Sequence, residues 1–87
     1  MTRYRHDENT VRQLKALGQA FREARKRAGL TQEVVADRSG VNASTVHQIE
    51  KGAVNPGYDV MVAIAKAMDL QLTPILLRAG ELAGEDG

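Results

Sequence analysis

Three glycines, Gly29, Gly40 and Gly52, divide the middle of this chain into pieces too short for anything but brief elements, and each follows a run with helical spacing. Glycine just past the last helical residue is the usual helix stop. Ahead of Gly29, the residues Val11, Leu14, Leu17, Phe21, Ala24 and Ala28 recur at intervals of three and four, which predicts one long helix. Asn9 or Thr10 is able to cap it. Thr31 is a capping residue for a second helix, with Val35 and Ala36 turned inward, that stops at Gly40. Asn42 caps a third, with Val46 and Ile49 inward, that stops at Gly52. The segment Ala53-Val-Asn-Pro-Gly57 reads as a turn, because Pro56 pushes Asn55 out of helical geometry. A fourth helix is expected from about Tyr58 to Met68, with Met61, Ile64 and Ala65 on its inner face. Thr73-Pro74 then opens a fifth, as a hydroxyl cap followed by a proline at the first helical position, and it continues through Ile75, Leu76, Ala79 and Leu82.

The expected architecture is therefore all-α, with five helices in one domain over residues 9–82. Residues 1–8 read as a flexible arm and residues 83–87 as a disordered acidic tail. Eighty-seven residues suit one domain and leave no room for a large cleft. Aromatics are 3% of the chain, so the core must come from its twelve alanines, eight leucines and eight valines packed between helices. Such a core is marginal, and a second chain would add to it. The absence of cysteine removes disulfide scaffolds, thiolate metal sites and thiol catalysis. His6 and His47 lie far apart with no partner at ligand spacing, so no metal site, cofactor or catalytic centre is expected, and the chain is not read as an enzyme. No apolar run approaches the roughly 20 residues of a membrane span, and Met1-Thr-Arg-Tyr-Arg-His6 is not the start of a signal peptide, which points to the cytoplasm.

Net charge is +1, but it is unevenly spread. Residues 1–51 carry ten Lys or Arg against six Asp or Glu (+4), and residues 52–87 carry two against five (−3). A polyanion responds to local cation density rather than to the total, so the N-terminal half is the side expected to meet one.

Two short helices joined through Gly40, behind a basic first helix, describe a helix-turn-helix. The runs Leu17-Gly-Gln-Ala-Phe-Arg-Glu-Ala-Arg-Lys-Arg-Ala-Gly-Leu-Thr-Gln-Glu-Val-Val-Ala36 and Ser39-Gly-Val-Asn-Ala-Ser-Thr-Val-His-Gln-Ile-Glu-Lys-Gly52, with Asn55-Pro56 and Ile64-Ala-Lys-Ala-Met68, together resemble the Cro/repressor-type, or XRE-family, helix-turn-helix proteins. The resemblance covers roughly residues 14–77 and implies a lambda-repressor-like fold that binds double-stranded DNA. It sets the third helix in the major groove, with Ala43, Ser44 and Gln48 facing base edges. Gln48 can donate and accept at once, as adenine's N6/N7 edge requires. Gln32, at the start of the second helix, corresponds to a glutamine that bonds a phosphate. Asn42, His47, Lys51 and Arg22 are the other backbone-contacting candidates. Arg25 and Glu50 correspond to a structural ion pair that ties the first helix to the end of the third.

Departures from the family pattern are visible too. The loop after Lys51 continues Gly52-Ala53-Val54 and supplies no further charge, Ser39 stands where leucine is common, and His47 replaces a small or polar residue. Leu70, Leu72, Ile75, Leu76, Leu77 and Leu82 are many large aliphatics for one helix edge, so some are expected to face a partner, with Leu77 and Leu82 as the dimer-interface candidates. The functional expectation is a homodimeric transcriptional regulator on an inverted-repeat operator. The alternative is an antitoxin or accessory module that uses the same fold chiefly to grip another protein.

Overall fold

The computed structural model describes residues 7–86, which form five helices: α1 Glu8–Arg27, α2 Gln32–Ser39, α3 Ala43–Glu50, α4 Tyr58–Ala67 and α5 Leu72–Asp86. The expectations for Arg3, Tyr4, Arg5 and His6 lie outside the described residues.

The helix ends follow from local chemistry. Asp7, not Asn9 or Thr10, caps α1, its carboxylate accepting from the Thr10 amide at 2.8 Å. Helix α1 therefore includes Glu8, at the end of the expected arm. At the other end the chain makes a Schellman turn: the Gly29 amide donates to the Lys26 carbonyl and the Leu30 amide to the Arg25 carbonyl, with Gly29 at φ 74°. Thr31 caps α2 through the Val34 amide (3.1 Å), and Gly40, also left-handed, closes it. Helix α3 ends as α1 does, with Gly52 and Ala53 donating to the Ile49 and Gln48 carbonyls. Helix α4 uses the same turn, but the left-handed residue is Asp69 at φ 58°. Helix α5 begins at Leu72, earlier than the Thr73-Pro74 start implied. Pro74 falls in its first turn, where amides have no intrahelical acceptor and a missing N–H loses nothing. It runs through Gly84 to Asp86, so the segment read as a disordered tail from residue 83 is helical to that point, with Ala83 buried.

Phe21, Val35, Val46 and Ile49 form the fully buried centre, where α1, α2 and α3 meet. Helix α1 faces it with Ala16, Gly18 and Ala20 as well as Phe21, with Leu17 and Ala24 packed alongside, whereas Val11 and Ala28 are exposed, so the inward face is shorter but broader than the spacing predicted and is filled by smaller residues. Helices α4 and α5 extend the core with Ile64, Ala65, Met68, Leu72, Ile75 and Leu82. Leu82 is only 5% exposed, which removes it from the dimer-interface candidates: the long α5 lies along α1 and buries it within the chain. Leu77 is 67% exposed. Among the described residues no single helix is long and apolar enough to cross a membrane.

Close approach of α1 to α3 sets how the helix-turn-helix is carried. Gly18 sits against the last turn of α3, where an added Cβ would lie 2.6 Å from the Glu50 carbonyl oxygen. Gly52 is pressed on α1 in the same way, an added Cβ falling 2.7 Å from the Lys15 Cα. The end of α3 is thus held against α1 backbone to backbone, which only glycine permits at those two positions.

Candidate nucleic-acid interface

The N-terminus of α3 is organised by Asn42. Its side-chain oxygen accepts from the Ser44 amide at 2.8 Å and from the Ser44 hydroxyl at 2.9 Å. Ser44 thereby spends its hydroxyl proton inward and leaves its oxygen lone pairs to accept from outside. Along the same edge Ser44, His47 and Lys51 are exposed and Ala43 and Gln48 half-buried, while Val46 and Ile49 on the opposite side are buried. The division follows the helical period: inward positions three apart hold the helix down, while Ser44, His47 and Lys51 face outward.

Behind α3 a chain of hydrogen bonds crosses three elements. Arg25 on α1 grips Glu50 with two parallel bonds, Nε to Oε2 at 2.7 Å and Nη2 to Oε1 at 3.0 Å, and its third nitrogen donates to the Leu30 carbonyl at 2.8 Å. Glu50 Oε1 also accepts from Gln32 Nε2 at 3.1 Å. That same nitrogen stands 3.4 Å from His47 Nδ1, at the long limit of a contact. The structure therefore brings Arg25, Glu50, Gln32 and His47 together. Donating to the Glu50 carboxylate raises the pKa of the Arg25 guanidinium above its ordinary value, opposed by burial. With Arg25 and Glu50 side chains 12% and 5% exposed, the pair is neutralised internally and contributes no free charge to the surface.

Other candidates are placed apart from this chain. Arg22 lies exposed on α1. Leu77 is on α5, outside the helix-turn-helix. Ser39, where leucine is common in the family, bridges the turn: its hydroxyl donates to the Ala36 carbonyl at 3.3 Å and accepts from the Val41 amide at 3.1 Å. A polar contact thus replaces apolar packing at the end of α2. Arg38 reaches from α2 to the Ala67 carbonyl of α4 at 3.4 Å. A second ion pair had no sequence signal: Arg78 on α5 binds Glu23 on α1 at 2.9 Å and also Glu81 and Glu85, each at 3.3 Å.

A family model described as a helix-turn-helix domain matches residues 16–79. The transcriptional regulator ClgR of Mycobacterium tuberculosis is 34% identical over 65 residues, 75% of this chain and 58% of its own length. The chain spans 28% of a Sinorhizobium fredii HTH-type transcriptional regulator to which it is 37% identical over 54 residues. Among solved structures, the restriction-modification controller protein C.AhdI from Aeromonas hydrophila superposes with TM-score 0.69 at 34% identity, covering 71% of this chain and 94% of that one. The clp gene regulator ClgR from Corynebacterium glutamicum superposes at 0.77 with 25% identity, covering 87% and 80%. The five helices, the glycine-spaced helix-turn-helix and these likenesses agree, and the chain belongs to the helix-turn-helix family of transcriptional regulators, in its XRE-like, lambda-repressor-type branch.

Proposed function

We propose that this chain is a sequence-specific double-stranded DNA-binding regulator that sets α3 into the major groove and acts as a homodimer on an inverted repeat. The observation that carries the reading is the open outer edge of α3: Asn42, Ala43, Ser44, His47, Gln48 and Lys51 share one side of a helix whose other side is fixed in the core. In this reading Gln48 reads a base pair, with Ser44 as a second polar contact and Ala43 against a thymine methyl. The first turn of α2, where Thr31 satisfies only the Val34 amide, offers a phosphate its remaining amides and positive dipole end, with Gln32 beside them. Asn42, His47, Lys51 and Arg22 hold the backbone.

Leu77 and its neighbour Leu76, 67% and 38% exposed on α5, offer apolar surface for an interface with a second copy on that helix. A two-fold axis there would place two recognition helices roughly one DNA turn apart, about 34–36 Å. Selection of bound sequences from a random duplex pool tests binding, palindromy and half-site spacing together. The expected result is an inverted repeat with that spacing. Enrichment of no sequence, with a non-identical protein co-purifying instead, would favour the antitoxin or accessory reading and overturn this one. Sedimentation of Leu77→Asp, expected to be a folded monomer with much weaker operator affinity, tests the dimer separately.

A further inference from the structure

We infer that Lys15, on α1 and outside the helix-turn-helix, is a DNA phosphate contact that supplies the positive charge missing from the loop after α3. The inference rests on the DNA-binding reading above and deepens it.

A helix lying in the major groove has a phosphate rim on either side. On one rim this chain presents the start of α2. The other rim faces the loop that leaves the end of α3, and this loop reads Gly52-Ala53-Val54, with Lys51 its only cation. Lys15 reaches the same place from another element. The pressing of Gly52 onto α1 brings the Lys15 Cα and Cγ within 2.7 and 3.0 Å of where a Gly52 Cβ would stand, so the Lys15 side chain leaves α1 directly alongside this loop. Lys15 is exposed, and among the described residues its ammonium forms no ion pair or hydrogen bond. Among the described residues no carboxylate pairs with Lys15 or Lys51, so both stand as uncompensated charge beside one end of α3. Long side chains of this kind meet a phosphate without ordering their whole length, as a compact ammonium on a flexible stem.

Binding of each phosphate releases condensed counterions, so each contact steepens the fall of log K with log salt by about 0.9. The test measures that slope on the duplex recovered by selection, for the wild-type chain and for Lys15→Gln, Lys15→Arg and Lys66→Gln. Lys15→Gln is expected to lower the magnitude of the slope by about 0.9 for each bound subunit. This amounts to roughly five-fold weaker binding per subunit near 0.15 M salt, with the order of preferred sequences unchanged. Lys15→Arg keeps the charge and should keep the slope. Lys66→Gln, which removes an exposed cation on α4, should leave it as in the wild type. A Lys15→Gln slope equal to that of the wild type, or one reduced no more than by Lys66→Gln, overturns the inference while leaving α3 as the reading helix. A wild-type chain with no salt-dependent affinity for any duplex removes the DNA reading and this contact with it.

Discussion

Two arginines each tie α1 to another helix, in very different surroundings. Arg25 holds Glu50 at 2.7 Å with the two side chains 12% and 5% exposed, and Arg78 holds Glu23 at 2.9 Å with side chains 39% and 30% exposed. The first pair is surrounded by further hydrogen bonds from Gln32 and to the Leu30 carbonyl, so neither charge has water to fall back on. The second is a surface cluster in which one guanidinium serves three carboxylates. Distance alone would rank them equal. Burial makes the first a fixed part of the frame that aims α3, and the second an adjustable strap along the outer face.

The largest expected effect is therefore that of Arg25→Ala, which leaves Glu50 as an uncompensated charge and should cost about 3–5 kcal/mol, read as a fall in the urea midpoint. A loss no greater than that of Arg78→Ala would break the contrast. Gly18→Ala comes next, because its new methyl meets the Glu50 carbonyl and α1 must move off α3, at a cost of about 1–3 kcal/mol by thermal unfolding. Thr31→Ala removes the cap of α2 and should cost about 1 kcal/mol in the same assay. Arg78→Ala should have the smallest effect on the midpoint, and one that shrinks as salt is added. Its pH dependence has a definite sign. Hydrogen bonding to Arg78 holds the Glu23 carboxyl below its ordinary 4.5, so the folded state binds the proton less readily than the unfolded chain. The contribution of Glu23 is present above that value and lost as pH falls below it. Acid titration of stability should accordingly be slightly shallower in Arg78→Ala than in the wild type.

Legibility in the sequence divides along the same line. The ends of α1, α2 and α3 are written in Gly29, Gly40 and Gly52, and the starts of α2 and α3 in Thr31 and Asn42, because turn and cap chemistry is local. Helix α4 ends in the same left-handed turn without a glycine, and Asp69 carries no comparable sign. On α1 the spacing marks Leu17, Phe21 and Ala24 but not Ala16, Gly18 and Ala20: the alanines favour helix whether buried or not, and the need for Gly18 arises only once α3 crosses there. The count of aliphatics in α5 exceeds what one short edge can bury and so points Leu82 toward a partner, whereas α5 is fifteen residues long and lies along α1, which buries it. The Arg25–Glu50 pair came into view through family resemblance, since nothing local links residues twenty-five positions apart. Arg78 and Glu23, fifty-five apart, had no such guide.

The claim that α3 reads DNA through its free edge is tested most directly by repeating the duplex selection with Gln48→Ala and comparing the recovered motif with that of the wild type. The account predicts that one base pair in each half-site loses its preference, with a discrimination of roughly 1–3 kcal/mol disappearing there and every other position retained. An identical motif at identical affinity would contradict it.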